Sequence, residues 1–322
     1  MQILVLGGTQ FLGRHAVDTA LARGHDVTLF NRGRTGSELF PTVEKLCGNR
    51  DGDLAALRGR SFDAVIDTSG YVPRVVTETL DALGEIGHYT FVSSISVYAD
   101  ASTPPTEESP VAQLPEPSED PEVHYGALKA LCEEAVRARF PDAFVPRPGL
   151  IVGPFDPTGR FTYWPTRIAA GGVVLAPAPA DAPSQVIDVR DLAVWIVAAV
   201  ERGLAGTFNS VGPSQTLGAT LQTCTDVTGS EAELVWVDPA FLLKHDVGPW
   251  LELPLWLPDP EYAGMTRISP ERAASAGLTA RPLADTVRDT LAWALSAEAP
   301  ANAPAGLAPG KERRLLAAWA ER

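Results

Sequence analysis

The chain opens with the short apolar run Met1-Gln2-Ile3-Leu4-Val5-Leu6, then Gly7-Gly8-Thr9-Gln10-Phe11-Leu12-Gly13, then apolar residues at helical spacing from Arg14 to Arg23. A run this short and this apolar fits a strand buried on both faces of a parallel sheet. Strand, glycine turn and helix in that order allow few folds, because the helix N-terminus must lie close over the strand end. Glycines there let the backbone approach a pyrophosphate, and the free N–H groups of the helix end stabilise its charge. The segment therefore predicts a dinucleotide site at Gly7, Thr9, Gln10, Phe11, Leu12 and Gly13. Gln10 stands where a middle glycine is common, and an ordinary tight turn is the alternative.

Further apolar runs at 26–30, 63–67, 89–93 and 143–147 alternate with helical stretches, which predicts an α/β fold with a doubly wound parallel sheet. Residues 1–153 are expected to form the dinucleotide-binding domain. Residues 154–322, proline-rich and irregular, are expected to be mostly a smaller substrate lobe, with 186–192 and 206–211 returning to the main sheet or its edge. The acidic, proline-rich stretch from Ala99 to Val123 is either a loop over the mouth of the site or a plain surface loop. Ala297 to Gly310 reads as an Ala/Pro linker, followed by a short amphipathic helix from Lys311 to Arg322 that docks on the body or frays.

Tyr125-Gly126-Ala127-Leu128-Lys129 places a phenol and an ammonium on one helix face. A cation so placed is expected to stabilise the phenolate and lower a pKa that is ordinarily about 10. Tyr-x-x-x-Lys alone is a weak pattern. Its weight comes from the glycine turn and from Ser93-Ser94-Ile95-Ser96-Val97-Tyr98 upstream.

Taken with Arg147-Pro148-Gly149-Leu150-Ile151-Val152-Gly153-Pro154 and Val186-Ile187-Asp188-Val189-Arg190-Asp191-Leu192-Ala193, these motifs make the chain resemble the short-chain dehydrogenase/reductase superfamily. The likeness is to its extended and atypical, NAD-dependent epimerase/dehydratase-like branch, and runs in order over about two thirds of the chain. It implies Ser94, Tyr125 and Lys129 as the catalytic hydroxyl, acid/base and lysine, with Tyr125 and Lys129 also touching the cofactor, the lysine at its ribose hydroxyls. The family's upstream catalytic asparagine has no evident counterpart. The resemblance also implies cofactor contacts at Asn49 and Arg50 on the adenine side, at Thr68, Ser69 and Gly70 on the groove wall, and at Pro148, Gly149 and Leu150. In this chemistry negative charge grows on a carbonyl oxygen as hydride arrives, so donors aimed at that oxygen act most strongly in the transition state.

The second strand ends in Asn31-Arg32-Gly33-Arg34, with no acid to hold a ribose 2′-hydroxyl. Arginine suits a 2′-phosphate, so NADP(H) is favoured, with Arg32 as main contact and Asn31 and Arg34 in support, and NAD(H) is the alternative. The alternative for the arginines is a solvated loop. Tyr163, Trp164, Trp250 and Trp256 are either pocket lining or core. Nucleotide-sugar enzymes of the branch commonly carry an arginine just before the Val-x-Asp-Leu-Ala-like run, where this chain has Ser184-Gln185. Gln185 is therefore a candidate substrate contact, and Arg160, Arg167 and Arg190 are candidate anion contacts. The cofactor logic and the missing grip favour an NADPH-dependent reductase of a small or moderately apolar carbonyl compound. The alternatives are a nucleotide-sugar epimerase/dehydratase with retained cofactor and a non-enzymatic nucleotide- or RNA-binding protein, since the branch also resembles chloroplast stem-loop RNA-binding proteins.

A formal net charge of -14 opposes a nucleic-acid surface, which needs clustered Lys and Arg. Three scattered cysteines, Cys47, Cys132 and Cys224, fit free thiols in a reducing compartment. The histidines form no ligand cluster, so no metal is expected. No charged leader or apolar span near about 20 residues is visible, which predicts a cytoplasmic protein without a membrane partner. A homodimer is expected by analogy with the superfamily.

Overall fold

The protein is described by a computed structural model that covers residues 1–299 and 304–322. Its first half runs β1 (Gln2–Leu6), α1 (Phe11–Ala22), β2 (Asp26–Asn31), β3 (Glu44–Cys47), β4 (Phe62–Asp67), α2 (Pro73–Ala82), β5 (Ile86–Phe91), α3 (Pro121–Arg139) and β6 (Phe144–Pro148). Then come β7 (Leu150–Val152), α4 (Tyr163–Ala169), β8 (Val173–Pro177), β9 (Pro183–Asp188), α5 (Val189–Arg202), β10 (Gly206–Ser210), β11 (Ser214–Thr216) and α6 (Leu217–Thr228). The chain ends with β12 (Glu233–Val237), α7 (Pro239–Lys244), α8 (Glu271–Ser275), α9 (Leu283–Ala294) and α10 (Pro309–Ala320).

Seven parallel strands form the main sheet in the order β10-β6-β5-β4-β1-β2-β3. The continuous apolar runs are explained by burial on both faces. Ile3 and Val5 pack with Val17, Trp195 and Ile196 of α1 and α5, while Leu4 and Leu6 pack with Val76, Leu80 and Val136 of α2 and α3. Strand order reverses between β1 and β4, and in such sheets ligands usually lie beyond the carboxyl ends of the strands at that point.

The five strand expectations match β1, β2, β4, β5 and β6. Of the two return segments, 206–211 forms the edge strand β10, beside β6. Residues 186–192 behave differently: β9 joins a separate sheet of order β11-β9-β7, and α5 packs on the main sheet. The reason lies at Asp188. It caps α5 by accepting from Arg190 N at 2.8 Å, accepts the Arg190 guanidinium, and receives Thr286 Oγ1 at 2.8 Å from α9. This motif therefore fastens the two lobes at a buried carboxylate. A second core, built on Phe161, Trp164, Leu175, Leu221 and Leu242, fills the smaller lobe. The terminal helix docks on that core rather than fraying: Leu315 is buried, and Glu312 pairs with Arg167 at 2.8 Å. Part of the expected linker, 300–303, lies outside the described residues. Among the described residues no helix is long and apolar enough to cross a membrane.

Candidate active site

The glycine turn is shaped as a cradle. Gly7 and Gly8 have φ of 105° and 87°, and a Cβ on either would lie 2.7 Å from Thr68 Oγ1 or Leu29 Cδ2. A Cβ on Gly13 would come within 2.9 Å of Gly8 N, so glycine is what allows α1 to sit on the strand end. No side chain caps α1 and its first turn holds no acid, which leaves its N–H groups for an anion. Gln10 is exposed at this helix start, Thr9 is half-buried, and Leu12 is buried. These features fit a dinucleotide pyrophosphate.

Several expected contacts turn out to brace the cradle. Asn31 Nδ2 donates to Gly7 O at 2.9 Å and Asn31 Oδ1 accepts from Gly33 N at 2.9 Å, so its amide holds the turn instead of reaching for a ribose. Thr68 and Ser69 hydroxyls both donate to Leu6 O, at 2.9 and 3.1 Å. Arg50, the other expected adenine-side contact, is half-buried and engaged by a protein partner. Its guanidinium grips Asp67 with two bonds of 2.6 and 2.8 Å, because a fully buried carboxylate at the end of β4 needs a charged partner. Asn49 is exposed and donates to Asp51 O, within its own loop. Arg32 and Arg34 stand exposed on the turn after β2, with no hydrogen bond to any described residue.

Two of the three catalytic candidates, Ser94 and Tyr125, line a cavity of about 830 Å³, together with Pro148, Gly149, Leu150 and Phe11 among others, and Lys129 is buried behind it. Ser94 is set by the 3-10 turn Ile95–Val97, whose Ser96 N donates to its Oγ at 3.1 Å. Tyr125 lies on α3 just after His124, where the helix is locally non-helical, and keeps 37% of its surface exposed. Gly126 brings the two together. A Cβ there would fall 2.0 Å from Ser96 O, so any other residue would push α3 away from the serine turn.

Lys129 does not act on Tyr125 as the sequence spacing predicts. Its Nζ donates to Gly70 O at 2.8 Å and Val92 O at 2.7 Å and sits 4.2 Å from the centre of the Phe91 ring. Desolvation brings the ammonium down to about 8. The Tyr125 phenol moves up to about 12, chiefly through removal from water. Tyr71 adds to the rise, and the neighbouring Ser94 hydroxyl and the charge of Arg160 offset part of it. The lysine thus fastens α3 to the ends of β4 and β5 at Gly70 and Val92.

The substrate expectations divide. Trp250 lines the cavity. Trp164 is fully buried and donates to Pro254 O at 2.8 Å, and Trp256 is buried beside it, so both are core. Tyr163 is buried facing a second, smaller cavity of about 240 Å³. Gln185 touches the main cavity, but its amide is engaged with Gly212 O, Ile268 O and Ile268 N, since a buried amide must be satisfied. Arg167 is held by Glu312 and by two carbonyls, and Arg190 by Asp188 and Asp289. Arg160 remains in the cavity wall.

Sequence reasoning missed the Arg147–Glu133 pair, with bonds of 2.9 and 2.7 Å, which ties β6 to the helix bearing Tyr125. A glutamate one turn after Lys129 was the available signal. Among the described residues no group of three or more His, Cys, Asp or Glu is placed to hold a metal.

The model of the NAD dependent epimerase/dehydratase family matches residues 3–212. Curated relatives include the chloroplast stem-loop binding protein of 41 kDa b of Arabidopsis thaliana, 27% identical over 74% of this chain and 66% of its own length. A UDP-glucose 4-epimerase of Erwinia amylovora is 31% identical over 42% of this chain and 48% of its own. The chain thus spans between about half and two thirds of these relatives. Among solved structures, a UDP-glucuronic acid 4-epimerase from Bacillus cereus in complex with NAD superposes with a TM-score of 0.66 at 16% identity, covering 94% of this chain and 99% of that one. That likeness shows the fold. The family model covers most of the chain, including the glycine cradle, the serine turn and the Tyr125 helix, and the chain belongs to the NAD dependent epimerase/dehydratase family.

Proposed function

We propose that the chain is a dinucleotide-dependent enzyme of the epimerase/dehydratase type, which oxidises a secondary alcohol of a nucleotide-linked sugar and returns the hydride within one catalytic cycle. The observation that carries this reading is the meeting of Ser94 and Tyr125 on one wall of the main cavity, beside the glycine cradle. A bound nicotinamide supplies the hydride acceptor and donor. As the phenolate, which the positive charge of an oxidised nicotinamide would favour over the protonated ring, Tyr125 takes the alcohol proton and gives it back, and Ser94 donates to the oxygen as it becomes a carbonyl. The cradle and the α1 N-terminus hold the pyrophosphate, and Lys129 keeps the Tyr125 helix in register with it. The family and the names of the epimerase relatives support the substrate class and a retained NAD(H).

The sequence by itself favours a net NADPH-dependent reductase. The comparisons support the epimerase/dehydratase alternative better. The exposed Arg32 and Arg34, with no acid after β2, speak for NADP(H) against the NAD(H) that the family description and the NAD-bound neighbour support. The stem-loop binding relative supports a nucleic-acid role, which the net charge of -14 opposes.

Native mass spectrometry of the purified protein, paired with turnover of UDP-sugars, tests the reading. Retained dinucleotide and sugar turnover with no net change in cofactor are expected. Tyr125→Phe should keep the dinucleotide and lose about a hundredfold to ten-thousandfold in turnover. Stoichiometric oxidation of added NADPH with a ketone would favour the reductase instead.

A further inference from the structure

The walls of the main cavity carry two charged residues among those described, Arg160 and Asp259. Asp259 is turned to its own backbone, accepting from Glu261 N at 2.9 Å. Arg160 is held differently from the other buried or half-buried arginines. Arg50, Arg147, Arg167 and Arg190 each grip a carboxylate. Arg160 instead donates only through Nε, at 3.1 Å, to Thr158 Oγ1. Thr158 in turn donates from its hydroxyl at 2.7 Å and from its backbone N at 2.8 Å to Asp156 Oδ1. Asp156 is 2% exposed, so this chain of bonds is anchored in the interior. The guanidinium stands 5.1 Å from the centre of the Trp250 ring, and its two terminal nitrogens bond to no described residue.

A half-buried cation with a fixed plane, two unengaged donors and no carboxylate contact suits a bidentate anion, and desolvation strengthens that attraction. Gln185, also in the wall, has its amide already engaged. The surrounding wall is apolar, with Leu255, Leu257 and Met265.

We infer that Arg160 is the substrate's anion anchor: its terminal nitrogens take one phosphoryl or carboxylate group, and the part of the substrate beside that group packs on Trp250. Thr158 and Asp156 are positioning residues that fix the guanidinium plane. A diphosphate would set one phosphoryl on Arg160 and leave the other to uncharged polar groups of the wall. The inference rests on the reading of this cavity as the substrate site.

Calorimetric titration of the full chain saturated with NAD, using uridine diphosphate as the phosphoryl probe and glucuronate as the carboxylate probe, tests it and separates the two sources of anion. Arg160→Met should weaken whichever probe binds by about tenfold to a hundredfold and flatten its salt dependence. Arg160→Lys should restore part of the loss. Thr158→Val should raise KM severalfold with kcat nearly unchanged, which a merely structural role would not produce. Binding of both probes unchanged in Arg160→Met, or no binding of either probe to the wild type, would overturn the inference. Should Arg160→Met fail to fold, wild-type affinity in both Arg160→Lys and Thr158→Val would overturn it equally. Loss of probe affinity in a protein that turns over no sugar would sink the proposed activity and leave the anchor standing.

Discussion

Tyr125 and Lys129 show how little a residue pair's spacing says about its electrostatics. Four residues apart on a helix they share a face, yet the ammonium is drawn toward Gly70 O and Val92 O, and the phenol is governed by its removal from water. This gives a pH prediction whose sign follows from linkage. Lys129 has a folded pKa of about 8, below the ordinary value of about 10.4. Below about pH 8 both folded and unfolded chains hold the proton, and the cost of burying the charge is fully present. Between about 8 and about 10.4 the unfolded chain holds more protons, so this contribution becomes less unfavourable as pH rises. The denaturation midpoint of the wild type should therefore rise relative to that of Lys129→Met across that window. A gap independent of pH would contradict the assigned burial.

Among the elements, α3 matters most, because three devices set its distance from the serine turn. The Arg147–Glu133 pair ties it to β6, Lys129 ties it to β4 and β5, and Gly126 removes the side chain that would collide with Ser96 O. Gly126→Ala should displace the Tyr125 hydroxyl from Ser94 and lower kcat by about a hundredfold. Dinucleotide affinity, read by titration of the same variant, should change by no more than a few fold, since the cradle lies on α1. Equal loss of both would point to general unfolding. At this scale the sequence was informative where local pattern and local structure coincide. Gly7 to Gly13, Ser94 and Tyr125 all fall where the motifs place them. It was silent on the protein partners of Arg50, Trp164 and Gln185, whose ligand-suited chemistry is met by Asp67, Pro254 O, and the backbone at Gly212 and Ile268. Those partners are distant in sequence, and no periodicity reports them.

On the scale of the whole molecule, two cores meet at the crevice. The main sheet supplies the cradle and the acid/base wall, and the smaller lobe supplies Arg160 and Trp250. The lobes are joined by Asp188 with Thr286 and by Asp191 with Arg281, which bridge α5 to the α9 region. Doubly wound topology was legible because strands buried on both faces leave continuous apolar runs. The lobe's architecture was not, since its strands fall into two small sheets and their proline-rich connections lack clear periodicity. The most direct test of the account is a crystal structure of the full chain with its dinucleotide bound. It should place the pyrophosphate on the Gly7 to Gly13 turn and the nicotinamide facing the Tyr125 and Ser94 hydroxyls across the main cavity. A nicotinamide lying outside that cavity, or a Tyr125 hydroxyl turned away from it, would contradict the central claim.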